Sequence, residues 1–144
     1  MYQKIVIVGN LGRDPEMRYT PSGQAVTNFS VATTRKWSDG NGQTREETIW
    51  FRVATWGKLA EVCNQYLSKG RQVFVEGRLA ADPQTGGPRV WQAQDGSSRA
   101  SYEITALEVK FLGGRGDAPA SYENGSSASV IDEPAGITED EIPF

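Results

Sequence analysis

Between Ile49 and Trp56 the chain alternates residue by residue, and alternate side chains of a strand face opposite sides of a sheet. Ile49, Phe51, Val53 and Thr55 form one face, and Trp50, Arg52, Ala54 and Trp56 form the other. The first is an ordinary core face. The second sets two tryptophans around an arginine, and two readings are open for it. Either the strand is buried on both sides, or the rings are a platform for unstacked nucleic-acid bases whose phosphates meet the guanidinium. After Gly57 the period changes. Leu59, Val62, Cys63, Tyr66 and Leu67 recur at helical spacing, with Gly70 placed to end the helix. Gln72 to Leu79 then reads as a strand with Val73, Val75 and Leu79 on one face.

Strands flank this unit on both sides. Lys4 to Val8 is a short β-branched run, followed by a turn or bulge marked by Gly9, Asn10, Gly12 and Pro15. That Gly-Asn-Leu-Gly stretch is no phosphate loop, because no Lys-Ser/Thr pair follows and no helix begins there. Arg13 and Arg18 are placed on a loop. Ala25 to Lys36 is a long strand with Phe29, Val31 and Thr33 on one face. Strict parity points Trp37 inward with Phe29, so it reaches a ligand only if the strand bends or bulges. Ser38 to Thr44 is a hairpin loop, Asp82 to Pro88 a turn and Asp95-Gly96 a second hairpin, with Arg89 and Trp91 sharing a face. Tyr102 to Leu112 is the last strand. This order predicts an all-β, OB-fold, five-stranded Greek-key barrel with one short α-helix, whose open face binds oligonucleotides.

Composition removes several classes of chemistry. The 144 residues include no histidine and one cysteine, which excludes Ser-His, Cys-His and His-metal schemes and any internal disulfide. No cofactor and no metal are implied. No apolar run reaches membrane-spanning length, and the N-terminus lacks the layout of a secretory signal, so a cytoplasmic location is expected. The net charge of −3 hides an asymmetry: residues 1–115 carry +4 and residues 116–144 carry −7. All four tryptophans have a Lys or Arg within two residues, a pattern suited to strand-type binding of nucleic acid.

The chain divides at about residue 112. Residues 1–112 form the predicted barrel domain. Residues 113–144 are rich in Gly, Ser, Ala and Pro and poor in large apolar groups, so they are expected to be a disordered acidic tail. Its tip differs: Glu139, Asp140 and Glu141 precede Ile142, Pro143 and Phe144, an acidic cluster with an apolar anchor that suits docking in a basic-rimmed pocket of a partner protein.

Three segments together carry a resemblance: KIVIVGNLGRDPEMRYTPSGQAVTNFSVAT, TIWFRVATWGKLAEVCNQYLSKGRQVFVEGRL and the terminal DEIPF. The sequence resembles bacterial single-stranded DNA-binding proteins of the OB-fold type. The resemblance implies a homotetramer that wraps single-stranded DNA, associated with the bacterial nucleoid, with a tail tip that recruits replication, recombination and repair proteins. It implies base stacking by Trp37, Trp50, Trp56 and Trp91. It implies phosphate contacts from Lys4, Arg18, Arg45, Arg52, Lys58, Lys69 and Arg89. Three departures accompany it. Trp56 stands where phenylalanine is common, the DPQTGGP hairpin before Trp91 is longer than usual, and the tip has Glu-Asp-Glu in place of an aspartate run.

Two rivals come from other classes. A metal-dependent nuclease would use Asp14 and Glu16, or Asp39 with Glu46 and Glu47, but these acids sit on turns or beside basic residues without ligand spacing. An OB-type adaptor would turn its aromatic face to protein or saccharide and would need fewer cations on it.

Overall fold

The computed structural model describes residues 1–113. Its elements are β1 (Ile5–Leu11), β2 (Glu16–Tyr19), β3 (Ala25–Ser38), β4 (Thr44–Trp56), α1 (Gly57–Tyr66), β5 (Gln72–Leu79), β6 (Arg89–Gln92) and β7 (Ser98–Leu112). Five strands form the predicted OB-type barrel in the order β1-β5-β7-β4-β3, and a short β1–β3 pairing closes it. The β4–β7 contact is parallel and the others are antiparallel. Two small strands lie outside the ring: β2 pairs with β3, and β6 pairs with β7.

The core follows the predicted parity. Phe29, Val31, Val53, Val73, Val75 and Ile104 are buried from four strands, and Ala60, Cys63 and Leu67 come from the helix and the residue after it. Two buried threonines are satisfied locally. The Thr27 hydroxyl donates to the Ala60 carbonyl at 2.7 Å and the Thr55 hydroxyl to the Thr27 carbonyl at 3.0 Å, which ties α1 to β3 and β4. Burial pushes the Cys63 thiol up to about 11, so it is a packing residue and not a nucleophile.

Four expectations are corrected. β1 does not stop at Val8 but runs through Gly9 and Asn10 to Leu11. Gly9 is no breaker: β1 passes so close to the Ala32 carbonyl that a side chain at residue 9 would collide with it, and the barrel closes there. Arg18 lies on β2, not on a loop. The helix ends at Tyr66 with Leu67 as its extended cap, and Gly70 stands in the next turn, where its N–H donates to the Leu11 carbonyl at 2.8 Å. Leu79 is exposed although Val73 and Val75 are buried: it keeps their parity and pairs with buried Ile104, but it is the last residue of β5, at the end of the strand.

Candidate nucleic-acid interface

Strand β4 is not buried on both sides. Val53 and Thr55 are buried, while Trp50 and Trp56 keep 53% and 43% of their surface exposed. The tryptophan face is therefore the outside of the barrel. In register, Trp50, Arg52 and Trp56 lie opposite Ala32, Ser30 and Val26 of β3, so no bulky neighbour covers the rings from that strand. Arg52 stands between them. It shares a shallow hollow of about 90 Å³ with Arg18 from β2 and Arg89 from β6, lined also by Asn28, Ala54 and Glu103. Among the described residues none of these three arginines has an ion pair. Three guanidinium groups around one carboxylate leave an excess of positive charge beside two exposed indoles.

Trp37 reaches solvent by a different route. The β3–β4 register runs without a shift from Val26↔Trp56 to Ser38↔Thr44, so the bulge required to turn Trp37 outward does not exist. Trp37 keeps the parity of Phe29 and Val31. It is exposed because the two strands outrun the barrel as an arm with no core beneath it. The arm carries its own cations in pairs: Arg35–Glu47 at 3.2 Å, Lys36–Glu46 at 3.1 Å and Arg45–Asp39 at 2.9 Å. The Arg35 guanidinium also lies 4.7 Å from the centroid of the Trp37 ring. At the arm's tip the Asp39 carboxyl is held below the usual carboxylate range, first by Arg45 and then by the N–H groups of Gln43 and Asn41.

Trp91 is exposed on β6, and its indole N–H donates to the Ser101 hydroxyl at 2.9 Å. Arg99 of β7 lies directly opposite Trp91 and pairs with Asp95 at 3.4 Å. Arg99 is missing from the residues predicted to contact phosphate. Centring the hairpin on Asp95 pairs residue 91 with residue 99, a signal the sequence does contain.

The seven predicted phosphate contacts thus divide. Arg18, Arg52 and Arg89 come together in one hollow. Lys69 lies apart, in the 67–71 turn, without an ion pair among the described residues; its backbone N–H donates to Asp14 at 2.8 Å. Lys4 is bound to Glu76 at 2.6 Å on the β1–β5 side, and that carboxylate raises the lysine pKa. Lys58 pairs with Glu61 at 3.4 Å, and Arg45 with Asp39. Glu139, Asp140, Glu141, Ile142, Pro143 and Phe144 lie outside the described residues.

Four of the five acids of the nuclease reading are committed elsewhere. Asp14 holds the Lys69 N–H, Asp39 the arm tip, and Glu46 and Glu47 their cross-strand cations. Among the described residues no three His, Cys, Asp or Glu side chains form a group that could hold a metal ion. No helix among them is long and apolar enough to cross a membrane.

Comparison with known proteins identifies the family. The profile of the Single-strand binding protein family matches residues 2–112. The single-stranded DNA-binding protein of Neisseria meningitidis serogroup B is 48% identical over 124 residues, covering 85% of this chain and 67% of that protein. Single-stranded DNA-binding protein 1 of Chlorobaculum tepidum is 44% identical over 124 residues, covering 83% and 72%. Among solved structures, Plasmodium falciparum SSB in complex with ssDNA aligns with a TM-score of 0.65 at 27% identity over 78% of this chain and 97% of that one. A deletion mutant of the Thermus aquaticus single-stranded DNA binding protein aligns with a TM-score of 0.61 at 33% identity. The match spans 80% of this chain but about half, 52%, of that one.

Proposed function

This chain belongs to the single-strand binding protein family, and we propose that it binds single-stranded DNA without sequence preference through the outer face of β2, β3, β4 and β6. It is a binding protein and not an enzyme. One observation carries the reading: Trp50 and Trp56 stand exposed on either side of Arg52, beside the hollow that Arg52 shares with Arg18 and Arg89. Every base offers a π-face to such rings, at about 1–3 kcal/mol per stacked base, whereas a duplex hides those faces. The guanidinium groups take the phosphates between stacked bases. Trp37, exposed on the opposite face of the β3–β4 ribbon, and Trp91 on the β6–β7 hairpin offer two further rings, and Lys69 adds a separate cation.

The test is a fluorescence titration of the four tryptophans with oligothymidylate and with a duplex of equal length. Strong quenching by the single strand and little by the duplex at the same salt is expected. Equal quenching by both rejects stacking as the basis of binding.

Finer roles follow from the same reading. Residues 1–112 form the DNA-binding and oligomerisation domain. Val6 and Val8, apolar and exposed on β1, support self-association into a homotetramer around which the strand wraps. The chain acts on DNA exposed during replication, recombination and repair, in the bacterial cytoplasm with the nucleoid. The acidic segment ending in Ile142, Pro143 and Phe144 recruits partner proteins of those processes, its apolar residues filling a pocket and Glu139 to Glu141 meeting a basic rim. Light scattering on residues 1–112 tests the tetramer. Loss of partner capture on deletion of Phe144, with DNA binding unchanged, tests the tip.

A further inference from the structure

Gly12 sits at the turn after β1, and its N–H donates to the Ser30 carbonyl of β3 at 3.1 Å. β3 therefore lies between Gly12 and β4. The Trp50 side chain leaves β4 opposite Ala32 and crosses β3, so that the far edge of its indole rests on Gly12. A methyl group at residue 12 would come within 2.7 Å of ring atom Cη2 and closer still to Cζ3, inside any real carbon–carbon contact. The backbone there has little room to give way. Besides the Gly12 bond, the Leu11 N–H donates to Arg71 at 2.9 Å and the Leu11 carbonyl accepts from Gly70 at 2.8 Å. The ring is the free partner, since more than half of Trp50 is exposed and its outer edge is the tip of a side chain with two rotatable bonds.

We infer that Gly12 is a positioning residue for the DNA interface: its missing side chain is the seat that holds the Trp50 indole across β3 in its stacking position. The inference rests on the reading that Trp50 stacks on bases. An exposed tryptophan with no seat samples several rotamers, and each bound base must then bear the cost of ordering it. Seating the ring beforehand removes that cost. Gly12 is not required by its own backbone, because it does not have a positive φ. An alanine there meets no conformational penalty of that kind, so the substitution reports on the ring contact.

The experiment is a double-mutant cycle on the full-length chain, with oligothymidylate affinity measured at several salt concentrations. Gly12→Ala is expected to weaken binding by about three- to tenfold, part of what one stacked base contributes, with the salt slope unchanged. In a Trp50→Ala background the same substitution is expected to change affinity by less than about twofold, since no ring remains to displace. In a Trp50→Phe background it is expected to cost less than in the wild type, because the shorter ring stops short of residue 12. A loss of equal size in the wild-type and Trp50→Ala backgrounds overturns the inference, and so does no loss in the wild type. The two readings fail separately. If Trp50→Ala itself binds as tightly as wild type, stacking at Trp50 is wrong. If Trp50→Ala weakens binding and Gly12→Ala does not, only the seat is wrong. Should Gly12→Ala lower the melting temperature, a matching drop in the Trp50→Ala background assigns the effect to backbone packing and overturns the inference.

Discussion

The barrel face and the projecting arm are two parts of the same β3–β4 hairpin, and both present tryptophan to solvent, but they treat charge differently. On the barrel face, Arg18, Arg52 and Arg89 share a hollow with a single carboxylate, Glu103. On the arm, between residues 34 and 48, three basic and three acidic residues cancel, and each base is bound to an acid. The reason is mechanical. Arg52 lies on a strand held by the core beneath it, so it can stay unpaired, and β2, which carries Arg18, is laddered to the core strand β3. The arm has no core, and its ion pairs, individually weak at such exposure, are among the few contacts that can hold it. Arg35 lies opposite Glu47 and Lys36 opposite Glu46 in the ladder, as that demands. Rigidity that the barrel draws from burial, the arm draws from the charges that would otherwise meet phosphate. The barrel face should therefore supply most of the salt-sensitive attraction, and the arm a stacking surface nearly indifferent to salt.

The largest effect expected separates the tryptophans. Trp50→Ala and Trp56→Ala should each cost about 1–3 kcal/mol, roughly 5- to 150-fold in affinity for oligothymidylate, with the salt slope unchanged. Trp37→Ala should fall at the lower end, since Arg35 already occupies one side of that ring. The contrast breaks if Trp37→Ala proves the most damaging of the three.

Next comes the electrostatic contrast. Each phosphate neutralised on a single strand contributes about 0.7 to the slope of log affinity against log salt, so Arg52→Ala should flatten that slope by about this much. Lys36→Ala on the arm should leave it nearly as it was, because Glu46 already neutralises that lysine. Equal flattening by both variants would mean that the arm's ion pairs open on binding. The converse experiment sharpens the point. Replacing Glu46 and Glu47 together by glutamine frees Lys36 and Arg35, and should steepen the slope by at most about 1.4 if both then find phosphate. The gain should be smaller than that ceiling, because the freed side chains must be ordered again on the strand.

Much of this arrangement is legible in the sequence, and what is not has identifiable causes. The parity of β4 separates core from platform, because a one-residue slip would bury both tryptophans with Arg52. The arm's ion pairs are legible too: a hairpin centred on Asn41 pairs 35 with 47, 36 with 46 and 37 with 45, as observed. Trp37 is misjudged by parity alone, since parity says which way a side chain points and not where the core ends. Gly9 reads as a breaker because the chain that passes over it, at Ala32, is remote in sequence. β2 is a four-residue strand with no buried residue, so no alternation marks it, and Arg18 is placed on a loop in consequence. The arginine hollow draws on β2, β4 and β6 and exists only once the barrel has closed. The acidic tip lies outside the described residues and stands on its sequence alone.

The smallest effect expected lies at the tip of the arm and turns on pH. Asp39 accepts Arg45 Nε at 2.9 Å and the N–H groups of Asn41 at 2.9 Å and Gln43 at 3.0 Å. These donors favour the ionised carboxyl, Arg45 first, so its pKa in the folded chain is lowered. A group with a depressed folded pKa contributes its stabilisation above the unfolded value, about 3.9 for Asp, and loses it as pH falls through the folded value. The tip should therefore hold its loop unchanged through neutral and mildly acidic pH, and loosen only below the ordinary carboxylate range. Following the Asn41 and Gln43 amide resonances with pH should give a midpoint below about 3.9. The same titration with Arg45→Gln should move that midpoint upward, since the main cause of the shift is gone. The barrel hollow should not respond to either change. A midpoint at the ordinary value in the wild type would show that Asp39 does not hold Arg45, leaving that arginine as free for phosphate as Arg52 and erasing the difference between arm and barrel at that residue.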